Sequence, residues 1–124
     1  MAAMRSSLAA MAIDSVPQRA PQSHFGFVFF DRKELNQLLS LYGRMVAAGH
    51  WRDYALDGLK DAAVFSVFRH ASDTPLYRIE KRPALARRQG AWAITAHGGL
   101  VLRRGHELAQ VLRLFDRARF QVVR

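Results

Sequence analysis

The stretch AVFSVFRHASDTPLYRIEKRPALARRQGAWAITA, residues 63–96, decides the fold. Within it, residues 63–70, 76–82 and 91–96 are strand-length runs rich in aromatic and β-branched side chains. Two further runs flank the stretch, at 54–59 and 100–104. The breaks between the five runs are Lys60-Asp61, Ser72-Asp73-Thr74-Pro75, a longer basic loop and His97-Gly98-Gly99. A parallel crossover needs about a dozen residues or more, so these short connections predict antiparallel neighbours in a meander.

Alternation assigns faces in most of these runs. Tyr77 and Ile79 oppose Arg78 and Glu80, and Trp92 and Ile94 oppose Ala93 and Thr95, so both strands have one core side. The run 63–70 behaves differently, because Phe65 and Val67 point one way while Val64 and Phe68 point the other. It reads as a central strand covered on both faces or as an apolar patch left exposed.

Upstream, FGFVFF at residues 25–30 reads as a buried strand. Asp31 then opens a helix: it is an N-cap residue, Glu34 sits at the third helical position, and Phe30 and Leu35 occupy the hydrophobic-staple sites. Leu35, Leu38, Leu39, Tyr42, Met45 and Val46 form one apolar stripe at a 3.6-residue period, and Gly49 is the stop. Asp53, Asp57 and Asp61 recur every four residues, so a helix there would align three carboxylates, read as caps and surface rather than a catalytic dyad.

Downstream, a second amphipathic helix is expected from about Gly105, with Leu108, Val111, Leu112 and Phe115 inward. Residues 120–123 read as a short strand or a fraying tail. The summed order, β-α-β-β-β-β-β-α, is an α+β domain: a mostly antiparallel meander sheet with two amphipathic helices on one face.

The chain has 124 residues, which fits one domain, and half of them are apolar, which argues against general disorder. The domain is read as 24–124. Residues 1–23 are read as a disordered leader, since the apolar run 8–13 falls short of a signal peptide's and Pro17 and Pro21 break any helix. No run approaches the ~20 apolar residues of a membrane helix, so no membrane partner is expected. The absence of cysteine removes disulfides, thiolate metal sites and thiol nucleophiles, and fits a cytoplasmic location.

Charge is unevenly placed. The formal charge is +9; residues 1–62 hold seven basic and six acidic side chains, whereas 63–124 hold twelve and four. Arg78, Lys81, Arg82, Arg87, Arg88, Arg103 and Arg104 stand against Glu80 alone between residues 78 and 104. Such density matches a phosphate-binding surface, because each Lys or Arg that neutralises a phosphate releases counterions. Guanidinium adds bidentate contact and stacking. A basic face meeting an acidic protein, or serving solubility, is the competing reading.

No catalytic chemistry is legible. The five histidines are scattered without metal-ligand spacing, no serine sits in a G-x-S-x-G elbow, and no glycine-rich phosphate loop is present. Neither a metal nor another cofactor is assigned. Arg103-Arg104-Gly105-His106 precedes the last helix, whose free N–H groups together with paired arginines would suit an anion.

The stretches FDRKELNQLLSLYGRMVAAGHWRDYALDGLKDAAVFSVFRH, PLYRIEKRPALARRQGAW and LRRGHELAQVLRLFD resemble a family of small, mainly alphaproteobacterial proteins known only as a domain of unknown function. The resemblance runs from about Phe30 to Asp116 and implies a free-standing cytoplasmic domain, with no activity, cofactor or site residue to carry over. The expectation is a binding protein rather than an enzyme, contacting nucleic acid or another polyanion, or alternatively an adaptor that meets an acidic protein.

Overall fold

The computed structural model describes residues 2–5, 23–24, 26–70 and 74–122, with side chains described for 26–70 and 74–116. In chain order the elements are β1 (Ala2–Arg5), β2 (Ser23–His24), β3 (Phe27–Val28), α1 (Arg32–Ala47), β4 (Asp53–Gly58), β5 (Ala63–Phe68), β6 (Tyr77–Lys81), β7 (Trp92–Ala96), β8 (Val101–Gly105) and α2 (Leu108–Val122). From β4 to β8 the strands form an antiparallel meander between the two helices, and the fold is α+β.

The amino-terminal part differs in detail from expectation. Within FGFVFF the strand is short: Phe27–Val28 form β3, which makes a two-residue ladder with β2, and Val28 N–H donates to Leu59 O at 2.7 Å. Residues 2–5, inside the stretch read as a leader, pair antiparallel with β4. Ser23 belongs to β2, and residues 1 and 6–22 of that stretch lie outside the described residues. The helical alternative for the aspartates does not hold, since Asp53 and Asp57 belong to strand β4 and Asp61 to the turn after it. At the other end α2 continues to Val122, so residues 120–122 are helical rather than a strand.

The first helix starts as its residues dictate. Glu34 N–H donates to Asp31 Oδ1 and Asp31 N–H to Glu34 Oε1, both at 2.8 Å, a complete capping box. It stops at Gly49, whose φ of +85° suits glycine.

Register builds the core. Tyr54, Phe65, Ile79 and Ile94 lie on one sheet face and pack with Leu35, Leu38, Leu41 and Met45 of α1 and with Leu108, Val111 and Phe115 of α2. Both helices therefore share that face. Phe115 is wedged edge-on against Trp51 and Tyr77, with ring centroids 5.1 Å from each. Strand β5 is buried along all six residues, which settles its ambiguous pattern in favour of cover on both faces.

Candidate polyanion-binding surface

Alternation along β6 sends its two kinds of side chain to opposite faces. Tyr77, Ile79 and Lys81 point towards the helices, whereas Arg78 and Glu80 point away. Lys81 is opposite Trp92 in the ladder and is 3% exposed. Its ammonium donates to Glu34 Oε1 at 2.7 Å and to Phe29 O at 2.9 Å, and sits 6.0 Å from the Trp92 ring centroid. Glu34 thus closes the capping box and neutralises a buried cation at once. Lys81 is a core residue, and its charge is not presented to solvent.

The ladder continues one residue beyond β6, where Arg82 N–H donates to Ala91 O, so Arg82 shares the Glu80 face. Its Nε donates to Glu80 Oε1 at 3.1 Å. Arg78, at the other end of the strand, is exposed and lies opposite Thr95.

Pro83 then starts a tight turn, Pro83–Leu85, and the loop folds on itself. Leu85 O accepts from both Arg88 N–H and Gly90 N–H at 3.0 Å. The loop is also seated against the junction of β8 and α2. His106 Nδ1 lies 3.1 Å from Ala86 O and donates to it in the tautomer that carries a proton there. Gly90, with φ +105°, passes so close that a Cβ on it would sit 2.2 Å from Gly105 O. Arg87 and Arg88 are exposed on this structured loop, and neither forms an ion pair with a described residue.

Arg103 and Arg104 reach the same end of the sheet but on opposite faces. Arg103 is paired with Ile94 on the helix side, and its Nη1 lies 3.5 Å from Gln110 O. Arg104 is paired with Ala93, is half-buried, and its Nη1 has no hydrogen-bond partner. They do not close as a fork on the start of α2. The structure thus seats the loop that carries Arg87 and Arg88 against the end of β8 that follows Arg103 and Arg104, keeps Arg82 in an ion pair, sets Arg78 at the far end of β6, and takes Lys81 inside.

A second basic feature was not visible in the sequence. A groove of about 450 Å³ runs between the helices, lined by Lys33, Leu41 and Arg44 of α1 and by Leu112, Arg113 and the carboxylate Asp116 of α2. Helix packing brings these cations of α1 and α2 to one groove.

The titratable groups with shifted behaviour lie in the core, away from these arginines. Burial pushes the Tyr42 and Tyr54 hydroxyls above the usual tyrosine range, and the Asp53 carboxylate adds to both shifts. Among the described residues no three His, Asp or Glu side chains gather as a metal would require, and no helix is long and apolar enough to cross a membrane.

No curated protein and no solved structure matches the chain. A family model described as "Protein of unknown function (DUF2794)" matches residues 28–112, which takes in α1, the meander and the loop that carries Arg87 and Arg88. The chain belongs to that family.

Proposed function

We propose that this domain is a cytoplasmic binding protein that holds nucleic acid through the arginines at the β6–β7 loop and the end of β8. One observation carries the reading. Two exposed guanidinium groups, Arg87 and Arg88, are held on an internally hydrogen-bonded loop seated against the end of β8 that follows Arg103 and Arg104, while Glu80, the only carboxylate between residues 78 and 104, is already taken by Arg82. Unpaired arginines on ordered backbone lose little freedom when they meet phosphate, and their planar fork fits it bidentately. Arg78 extends the basic surface along β6, and Lys81 takes no part.

The test is binding measured against salt. Fluorescence anisotropy with a duplex DNA and a single-stranded RNA should give linear plots of log affinity against log salt. Replacing both Arg87 and Arg88 by alanine should reduce the slope by about 1.8 for the duplex or about 1.4 for the single strand. An unchanged slope, or no binding at ~50 mM salt, would sink the nucleic-acid reading.

A second reading, an adaptor whose basic face meets an acidic protein, is favoured by a different observation. The exposed apolar residues Leu100, Val101 and Leu102 run directly into Arg103 and Arg104.

A further inference from the structure

β8 is the last strand of the sheet: β7 pairs along one side of it, and no described strand pairs along the other. An edge strand presents a row of unpaired N–H and C=O groups, and proteins usually blunt such edges with charge, proline or a bulge. β8 is blunted in part. Arg103 and Arg104 charge its second half, and Leu102 is an extra residue in the ladder, since Ile94 pairs with Arg103 and Thr95 with Val101. The side chains of its approach and first half are apolar and carry no charge, with Leu100 63%, Val101 46% and Leu102 39% exposed. Of the large hydrophobic side chains exposed among the described residues, only Val46 lies elsewhere.

We infer that β8 accepts an extended acidic peptide segment of another protein as an added antiparallel strand, with its carboxylates opposite Arg103 and Arg104 and its apolar residues opposite Leu100, Val101 and Leu102. Main-chain hydrogen bonds supply the pairing and the side-chain order supplies the choice of partner. Charge selects this occupant over a second copy of the chain. Pairing two β8 edges would bring together four arginines on chains that each carry +9, whereas an acidic strand neutralises them. Antiparallel addition also fixes direction: the amino-terminal half of the peptide lies at the Arg104 end, so carboxylates come first and β-branched residues follow. The inference rests on the adaptor reading for the sign of the partner's charge alone; the docking mode rests on the edge.

The probe is a blocked, fluorescein-labelled peptide of three glutamates followed by five alternating threonines and valines. It should bind the full chain, slow amide exchange at residues 101–104, and lose tenfold or more in affinity when Leu100 and Leu102 are both replaced by serine. The peptide of reversed order should bind at least tenfold more weakly. The serine pair keeps the net charge, so the salt slope for nucleic acid should not move, and circular dichroism confirms that the variant folds. Binding without protection of 101–104, or with affinity unchanged by the serines, overturns the edge site and leaves the adaptor reading standing. No binding at all overturns both. Self-association that the serine pair abolishes assigns the edge to a second copy and overturns the inference.

Discussion

Lys81 and the pair Arg87 and Arg88 belong to one strand-loop-strand segment, and the fold treats their charges in opposite ways. Lys81 is buried and spends its ammonium on Glu34 and Phe29 O, clamping the start of α1 to the sheet. Arg87 and Arg88 stand on a loop hydrogen-bonded through Leu85 O and remain exposed. A buried cation that loses its counter-charge is left uncompensated in a poorly solvated place, whereas an exposed guanidinium stays hydrated. Local charge density along the chain therefore overstates the charge available to a ligand. One strand of alternation is enough to turn a surface cation into a structural one.

The sharpest way to break that contrast is Glu34→Gln. Glutamine keeps an acceptor for the Asp31 N–H, so the capping box survives in part, while the buried ammonium loses its counter-charge. Urea unfolding should show a loss of about 3 kcal/mol or more. A loss below about 1 kcal/mol, which is typical of exposed pairs, would mean that Lys81 is not committed to the core. Replacing Arg87 and Arg88 by alanine should leave stability within about 0.5 kcal/mol, as surface changes do.

The next largest effect is expected at Gly90, where the loop meets β8. Gly90→Ala sets a Cβ against Gly105 O at a backbone angle that side chains rarely adopt. Such strain costs about 1–3 kcal/mol, and urea unfolding measures it. If seating of the loop positions Arg87 and Arg88, affinity for nucleic acid should fall in parallel. Unaltered affinity in a folded Gly90→Ala would separate the loop's position from its binding.

The smallest effect is expected inside the core. The Tyr54 hydroxyl is buried without a hydrogen-bond partner, so Tyr54→Phe removes a polar group that gains nothing where it is. Stability near neutral pH should stay level or rise by about 1 kcal/mol. Burial raises the folded Tyr54 pKa above the ordinary 10.0, with Tyr42 and Asp53 adding to the shift. Above pH 10 the unfolded chain therefore releases its proton first, and stability that is present below that pH is lost as pH rises. Tyr54→Phe should flatten this alkaline fall in denaturant melts, and an equally steep fall in the variant would refute the assignment.

Much of the fold could be read from local signals. The Asp31/Glu34 box, the Gly49 stop and the two-residue period of 76–82 and 91–96 act over a few residues, and each reappears in the structure. FGFVFF yields a shorter strand than its composition suggests, Phe27–Val28, because aromatic content reports burial without reporting what the residues pair with. Phe30 is buried by stacking on Trp92, with ring centroids 6.1 Å apart, rather than within a strand of the meander. The loop between residues 82 and 91 was legible as a loop, but the burial of Lys81 and the exposure of Arg87 and Arg88 were not.

By itself the sequence determined the α+β class, the order of the elements around the meander, the caps of α1 and the asymmetry of charge. These follow from periodicity and from interactions among residues close in the chain. Only the tertiary structure decided that Lys81 pairs with Glu34 across 47 positions, that Gly90 comes close to Gly105, that Arg103 and Arg104 part to opposite faces, and that β8 is the last of the described strands in the sheet. Burial and strand pairing join residues through space, and the desolvation that makes a charge structural or available exists only once the layers have packed.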